Sequence, residues 1–191
     1  MTRIRHIYDE EAEIGELLNG CREKDPHFQK RLFERYASLI FTTCRRYNTS
    51  WYPAKDLLQD TFIKVFDKIH QFDPRKGKLE SWIRRIAINL ALNAIRDKKM
   101  TFVEAKMDIP QEEDATGFQG LSEEKILGLI EELPVGYKTV FNLYVIDGYS
   151  HKEIASQLNI SLSTSKTQLF KAKRILQEKI ITLKKKSYGG F

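Results

Sequence analysis

The helical rhythm of this chain breaks off between residues 100 and 120. The segment MTFVEAKMDIPQEEDATGFQG carries one basic and five acidic side chains and contains Pro110, Gly117 and Gly120. Its apolar residues follow no 3.6-residue period, so it reads as a linker rather than an element. What remains is two blocks, 1–99 and 121–191, each the size of one small domain. A large single-core enzyme is excluded.

The same break separates charge. Residues 1–20 carry two basic and five acidic side chains, and residues 21–99 carry 18 and nine. Residues 121–191 carry 11 basic and seven acidic. Two basic blocks therefore flank an acidic stretch, and the whole chain stands at +6 with a pI near 9.2. This balance favours a polyanionic partner, either nucleic acid or an anionic membrane. With 41% hydrophobic and 30% charged residues the composition is that of a folded, soluble, largely helical protein. No apolar run reaches the ~18 residues of a membrane span, and the opening MTRIRHIYDEEAEIGELL lacks a signal-peptide core. A cytoplasmic protein without membrane insertion is expected.

Neither block alternates like a strand. In the first, the pattern predicts helices over Asp9–Asn19, closed by Gly20; Pro26–Tyr47, capped by Asp25 with Pro26 in the first turn; Pro53–Ile69; and Leu79–Lys98. In the second it predicts Ser122–Leu133, Pro134–Asp147 ended by Gly148, Ser150–Leu158, and Ser161 to about Lys184. The expected fold is all-α: two four-helix domains, 1–99 and 121–191, joined by the linker 100–120.

The sharpest local signal is GYSHKEIASQLNISLSTSKTQLFKAKRIL. Ser150 and Glu153 have capping-box spacing. Asn159 suits a left-handed helix end, and Ser161 can cap the next helix at once. Helix, short turn, helix is a helix-turn-helix. At 100° per residue, Leu162, Ser165, Leu169, Ala172 and Leu176 fall on a core arc. Ser163, Thr164, Lys166, Thr167, Gln168, Lys171 and Arg174 supply the polar face, with the hydroxyl, amide and cationic groups that bond base edges and phosphates. An ordinary solvated face is the plainer alternative, and Lys184–Lys186 read as a solvated tail.

In SWIRRIAINLALNAIRDKK the core arc is Ile83, Ile86, Ala87, Leu90, Ala91 and Ala94, and Trp82, Arg85, Asn89, Asn93 and Arg96 share the other side. An indole among arginines and asparagines fits a surface that stacks on unpaired bases. Equally, Trp82 can fold back on the preceding FDPRKGK loop. The helix before it turns Leu58, Phe62, Val65, Phe66 and Ile69 inward and leaves Asp56, Gln59, Asp60, Ile63 and Asp67 outward. An acidic strip around one isoleucine repels DNA and points to a protein partner; scattered solvated residues are the alternative.

No P-loop, Ser/His/Asp set or HExxH motif is present. His6, His27, His70 and His151 lack metal-ligand spacing, and Cys21 and Cys44 form no CxxC pair and read as buried structural thiols. No metal, cofactor or catalytic residue is expected.

The segments FERYASLIFTTCRRY, DLLQDTFIKVFDKIHQFD, WIRRIAINLALNAIR and LPVGYKTVFNLYVIDGYSHKEIASQLNISLSTSKTQLFKAKRIL together resemble a bacterial extracytoplasmic-function sigma factor of the sigma-70 type. They cover nearly all of both expected domains, in family order, and the short acidic start fits the two-domain class. The resemblance implies a specificity subunit of RNA polymerase. Asp56, Gln59, Asp60, Ile63 and Asp67 would dock on the clamp helices of the largest core subunit. Trp82, Arg85, Asn89, Asn93 and Arg96, with Arg75, Lys76 and Lys78 in the loop, would read the −10 element and trap an unpaired base. The helix-turn-helix would read the −35 element, its other surface would meet the polymerase flap, and the linker would thread toward the RNA exit and active-site channels. An anti-sigma factor is an expected further partner. One departure stands out: the family pattern T-V-K-S-R-L is TSKTQL here, which puts Gln168 where arginine is common and favours adenine over guanine. A stand-alone helix-turn-helix regulator and a DNA-processing enzyme are the competing readings. The first requires an apolar dimer face and the second a nucleophile or a metal-binding acidic set.

Overall fold

Amphipathic segments become helices, and the computed structural model describes residues 2–98 and 121–188. The order is α1 (Thr2–Arg22), α2 (Pro26–Arg46), α3 (Ala54–Lys68), 3-10 turns at Ile69–Gln71 and Pro74–Lys76, and α4 (Leu79–Asp97). Then follow α5 (Glu123–Glu131), α6 (Val135–Phe141), a π-helical turn over Asn142–Ile146, α7 (His151–Leu158) and α8 (Leu162–Tyr188). Among the described residues there is no strand, only an isolated bridge between Thr49 and Tyr52. The chain divides into two units, Met1–Ala94 and Ile95–Phe191. The expected linker, 100–120, lies outside the described residues.

In the amino-terminal unit α1 packs on α2 and α2 on α3. Asp25 caps α2 by accepting from the His27 amide at 2.8 Å, with Pro26 in the first turn. Leu17, Leu32, Ile40, Leu57, Val65 and Ile83 are buried. Cys21 and Cys44 are buried free thiols, and burial raises their pKa to about 11 and about 12. They stay protonated and pack as small apolar groups.

Three expectations are corrected. Gly20 does not close α1, which runs on to Arg22. The glycine is a contact point: a Cβ there would overlap the ring of Phe28 at the start of α2. The buried arc of α4 is turned toward Ile88, Leu92 and Ile95, while Ile86, Leu90 and Ala94 are half-buried. In α3, Leu57 and Thr61 are buried and Leu58 and Phe66 only half-buried. The Thr61 hydroxyl donates to the Leu57 carbonyl at 2.6 Å, which satisfies it inside the core.

In the carboxy-terminal unit α5, α6 and α7 all pack against α8. Val140, Phe141, Leu143, Ile154, Ala172 and Leu176 form its core. The helix expected over Pro134–Asp147 is α-helical only to Phe141 and then widens, with the Asp147 amide donating to Asn142 five residues back at 2.9 Å. Gly148 (φ +74°) turns the chain out of it. Lys179 of α8 is paired with Glu132 at the end of α5.

Candidate nucleic-acid interface

The helix-turn-helix is built by its own side chains. The Ser150 hydroxyl accepts from the Glu153 amide at 3.3 Å, and the Ser150 amide donates to the Glu153 carboxylate at 2.8 Å. Asn159 is left-handed (φ +55°), and the Ile160 amide donates to the Ala155 carbonyl at 3.0 Å. Ser161 accepts from the Thr164 amide at 2.9 Å and starts α8. Three helix ends are thus satisfied within 15 residues, 150–164.

One cross-link in this unit went unread in the sequence. His151 Nδ1 lies 2.9 Å from the Ser165 hydroxyl and so ties α7 to α8, and its ring stacks on Tyr144 at 4.4 Å between centroids. Burial, then Lys166 and Lys173, hold the imidazole pKa below its ordinary value. The π turn that brings Tyr144 here leaves no periodic trace a wheel can detect.

Along α8 the single exposed polar face expected from Ser163 to Arg174 is not found. Ser163, Lys166 and Arg174 are exposed and Lys171 is half-buried, but Thr164, Thr167 and Gln168 are buried. Gln168 is 1% exposed and its Oε1 accepts no hydrogen bond from the protein. It stands only about 40° from the nearer edge of the Ser165–Ala172 arc, and Thr164 about 80°, so both border the core. Thr167 is buried on the opposite side. Leu162, assigned to the core, is 48% exposed, because it sits in the first turn beyond the packed part of the arc. Arg174 is engaged by Glu178 at 3.1 Å.

The second basic surface is on α4 and the loop before it. Arg85, Asn93 and Arg96 are exposed, and Trp82 and Asn89 are half-buried. Trp82 packs on Phe72 at 5.5 Å between ring centroids, so the fold-back on FDPRKGK is real, yet part of the indole remains accessible. The Phe72 carbonyl accepts from Arg22 at 3.1 Å, which anchors the start of the loop to the end of α1. Asp73 caps the turn through the Arg75 amide at 3.0 Å and holds the guanidinium at 3.0 and 2.9 Å. These bonds lower the Asp73 pKa to about 2. Gly77 (φ +148°) lets the loop reverse into α4. Arg75, Lys76 and Lys78 all point into solvent.

On α3, Asp56, Gln59, Asp60, Ile63 and Asp67 are all exposed, Ile63 at 54%. The phenol of Tyr52 donates to Asp60 at 2.7 Å, a contact that spacing alone did not reveal. Among the described residues no cluster of three or more His, Cys, Asp or Glu side chains is placed to hold a metal ion. No described helix is long and apolar enough to cross a membrane.

Comparison with known proteins places families on both units. Residues 32–101 match Sigma-70 region 2 and residues 123–176 match Sigma-70, region 4. The ECF RNA polymerase sigma factor SigE of Mycolicibacterium smegmatis is 27% identical over 157 residues, which is 77% of this chain and 59% of that relative's length. The ECF RNA polymerase sigma factor SigW of Bacillus subtilis is 29% identical over 191 residues, covering 89% of this chain and 98% of the relative. SigM of the same organism is 25% identical over 157 residues, covering 76% and 91%. Region 2 falls on the unit with the acidic strip and the basic-aromatic helix, and region 4 falls on the helix-turn-helix. Matched in that order, and along almost the whole of SigW, the chain belongs to the extracytoplasmic-function sigma factors of the sigma-70 family.

Proposed function

We propose that this chain binds core RNA polymerase in the cytoplasm and directs initiation at promoters with −35 and −10 elements, with the following division of labour among its residues. The observation that carries the reading is the co-occurrence in one unit of an exposed acidic-apolar strip and a basic-aromatic helix. DNA repels the first and attracts the second, so one unit has both a protein partner and a nucleic-acid partner.

Asp56, Gln59, Asp60, Ile63 and Asp67 of α3 dock on the polymerase. Arg85, Asn93 and Arg96, with Arg75, Lys76 and Lys78 of the loop, take the −10 backbone, while Trp82 and Asn89 meet the unpaired base. Binding free energy from these contacts offsets the few kcal/mol needed to unstack a base. On α8, Ser163, Lys166, Lys171 and Arg174 engage the −35 duplex. Thr164, Thr167 and Gln168 contribute to base reading only once exposed, and Gln168, with its carbonyl unpaired, then favours adenine. The chain itself has no catalytic role, since the polymerase makes the phosphodiester bonds. An anti-sigma factor would silence it by covering the same surfaces.

The test is transcription by purified core polymerase on a fragmented genomic library, with and without the protein, with transcript 5′ ends mapped. Starts that require the protein and share a two-part upstream element are expected. Tight duplex binding without core and no new starts would establish a stand-alone regulator instead.

A further inference from the structure

The turn that delivers the chain into α3 is fixed more firmly than its exposure requires. The Asn48 side chain accepts from the Ala54 amide at 2.9 Å and so bonds to the first turn of the helix. Thr49, which is buried, accepts the Tyr52 amide on its hydroxyl at 3.0 Å, and its own amide donates to the Tyr52 carbonyl at 3.3 Å. Pro53 adds a fixed φ of −62°. The Tyr52 backbone is therefore held on both sides, and its side chain has only two torsions left to fix. In the second turn of α3 the phenol donates to Oδ2 of Asp60 at 2.7 Å.

Asp60 is exposed, and an exposed aspartate ordinarily exchanges among rotamers and loses that freedom only on binding. Here one oxygen is already claimed, while Oδ1 remains for an incoming donor. Asp60 sits between Asp56 and Ile63 on the outer strip, so the fixed carboxylate is presented beside a second acid and an apolar side chain. Burial and the neighbouring Asp60, Cys44 and Asp56 all disfavour loss of the phenol proton, which keeps Tyr52 a donor.

We propose that Tyr52 is a positioning residue for polymerase docking: its phenol holds the Asp60 carboxylate in the orientation in which the other oxygen meets a basic side chain of the core enzyme. This rests on the docking role proposed for the α3 strip. Tyr52 need not touch the partner. It acts by removing the rotamer search that Asp60 would otherwise complete on binding.

The experiment is a binding cycle with full-length protein and core RNA polymerase, using wild type, Tyr52→Phe, Asp60→Asn and the double variant, with Asp67→Asn as a distant control. Melting temperatures are measured on each. Tyr52→Phe should keep the wild-type melting temperature and bind about three- to ten-fold more weakly. The double variant should bind no more weakly than Asp60→Asn alone, whereas the losses from Tyr52→Phe and Asp67→Asn should multiply. Wild-type affinity for Tyr52→Phe beside a weakened Asp60→Asn overturns the positioning role and leaves the docking strip standing. Multiplying losses for Tyr52→Phe and Asp60→Asn also overturn it, and a lowered melting temperature alongside them would assign Tyr52 to folding. Unchanged affinity for Asp60→Asn and Ile63→Asp together removes the docking strip itself.

Discussion

The two surfaces proposed to meet nucleic acid are made in opposite ways. The helix-turn-helix is wired through neighbours in sequence: Ser150 to Glu153, Ile160 to Ala155, Ser161 to Thr164. The surface on α4 is wired through residues far apart, with Phe72 under Trp82 and Arg22 bonded to the Phe72 carbonyl across 50 positions. The first is set by bonds between residues three to five apart, whereas the second exists only when α1, the loop and α4 are in place together. Damage should therefore stay local in the carboxy-terminal unit and spread in the amino-terminal one.

The strongest way to break this contrast is at Trp82. Trp82→Ala removes both the ring that packs on Phe72 and the platform proposed for an unpaired base. Base–aromatic stacking is worth about 1–3 kcal/mol, so promoter opening should fall by roughly an order of magnitude or more while binding to closed duplex changes little. A premelted template should restore transcription. An equal loss on both templates would mean that the indole serves the fold alone.

Gly20 comes next. A methyl group there meets the Phe28 ring, and overpacking of this kind costs about 1–3 kcal/mol, partly offset by the better helix propensity of alanine. Gly20→Ala should lower the melting temperature of the chain, and Gly20→Ala with Phe28→Ala should recover part of the loss. Because α1 also anchors the loop through Arg22, we expect the substitution to weaken −10 recognition and leave −35 binding intact. A stabilised Gly20→Ala would show that α1 and α2 sit farther apart than described.

These two sites also show where sequence reasoning stopped. The caps at Asp25, Ser150 and Ser161 were legible, because a cap is a bond between residues two or three apart and its donors must be satisfied wherever the helix lies. Gly20 was read as a helix end because glycine commonly ends helices, whereas its reason lies on another helix. The α8 face failed for a related cause. A wheel knows the angle of a side chain but not how wide the covered arc is, so Thr164 and Gln168 were placed in solvent and are buried. Tyr52 and His151 escaped notice since their partners, Asp60 and Ser165, are eight and 14 residues away and follow no period. The exposure of the α3 strip was legible in full, because its five side chains share the arc opposite the buried Leu57, Thr61 and Val65.

The local wiring predicts a smaller and better-confined effect. Ser150→Ala removes one cap acceptor, which costs about 1 kcal/mol, and Glu153→Ala should cost a similar amount, less than additive with it because the two bonds form one box. Hydrogen exchange should rise in α7 and the first turn of α8 and stay unchanged in α1–α3. Faster exchange in α1–α3 would refute the independence of the two units.

His151 carries the smallest effect and tests the same independence by pH. Its folded pKa lies below the ordinary value of 6.5, through burial first and Lys166 and Lys173 second. As pH falls through about 6.5 the unfolded chain takes up the proton before the folded one does, so stability is lost with falling pH until the lowered folded pKa is reached, and then levels off. The neutral ring shares a hydrogen bond with Ser165 and stacks on Tyr144, and a charged ring adds repulsion toward two lysines of the next helix. Melting curves between pH 7.5 and 5 should show this loss in the carboxy-terminal unit, and His151→Gln should flatten it by removing the titrating group while keeping a polar partner for Ser165. The amino-terminal unit gives a built-in reference, because His151 and both its partners lie in the other unit. If its exchange rates move with pH as much as those of α7 and α8, the titration is not confined to the Tyr144–His151–Ser165 cross-link, and the division into a locally wired surface and a distantly wired one fails at its most sensitive point.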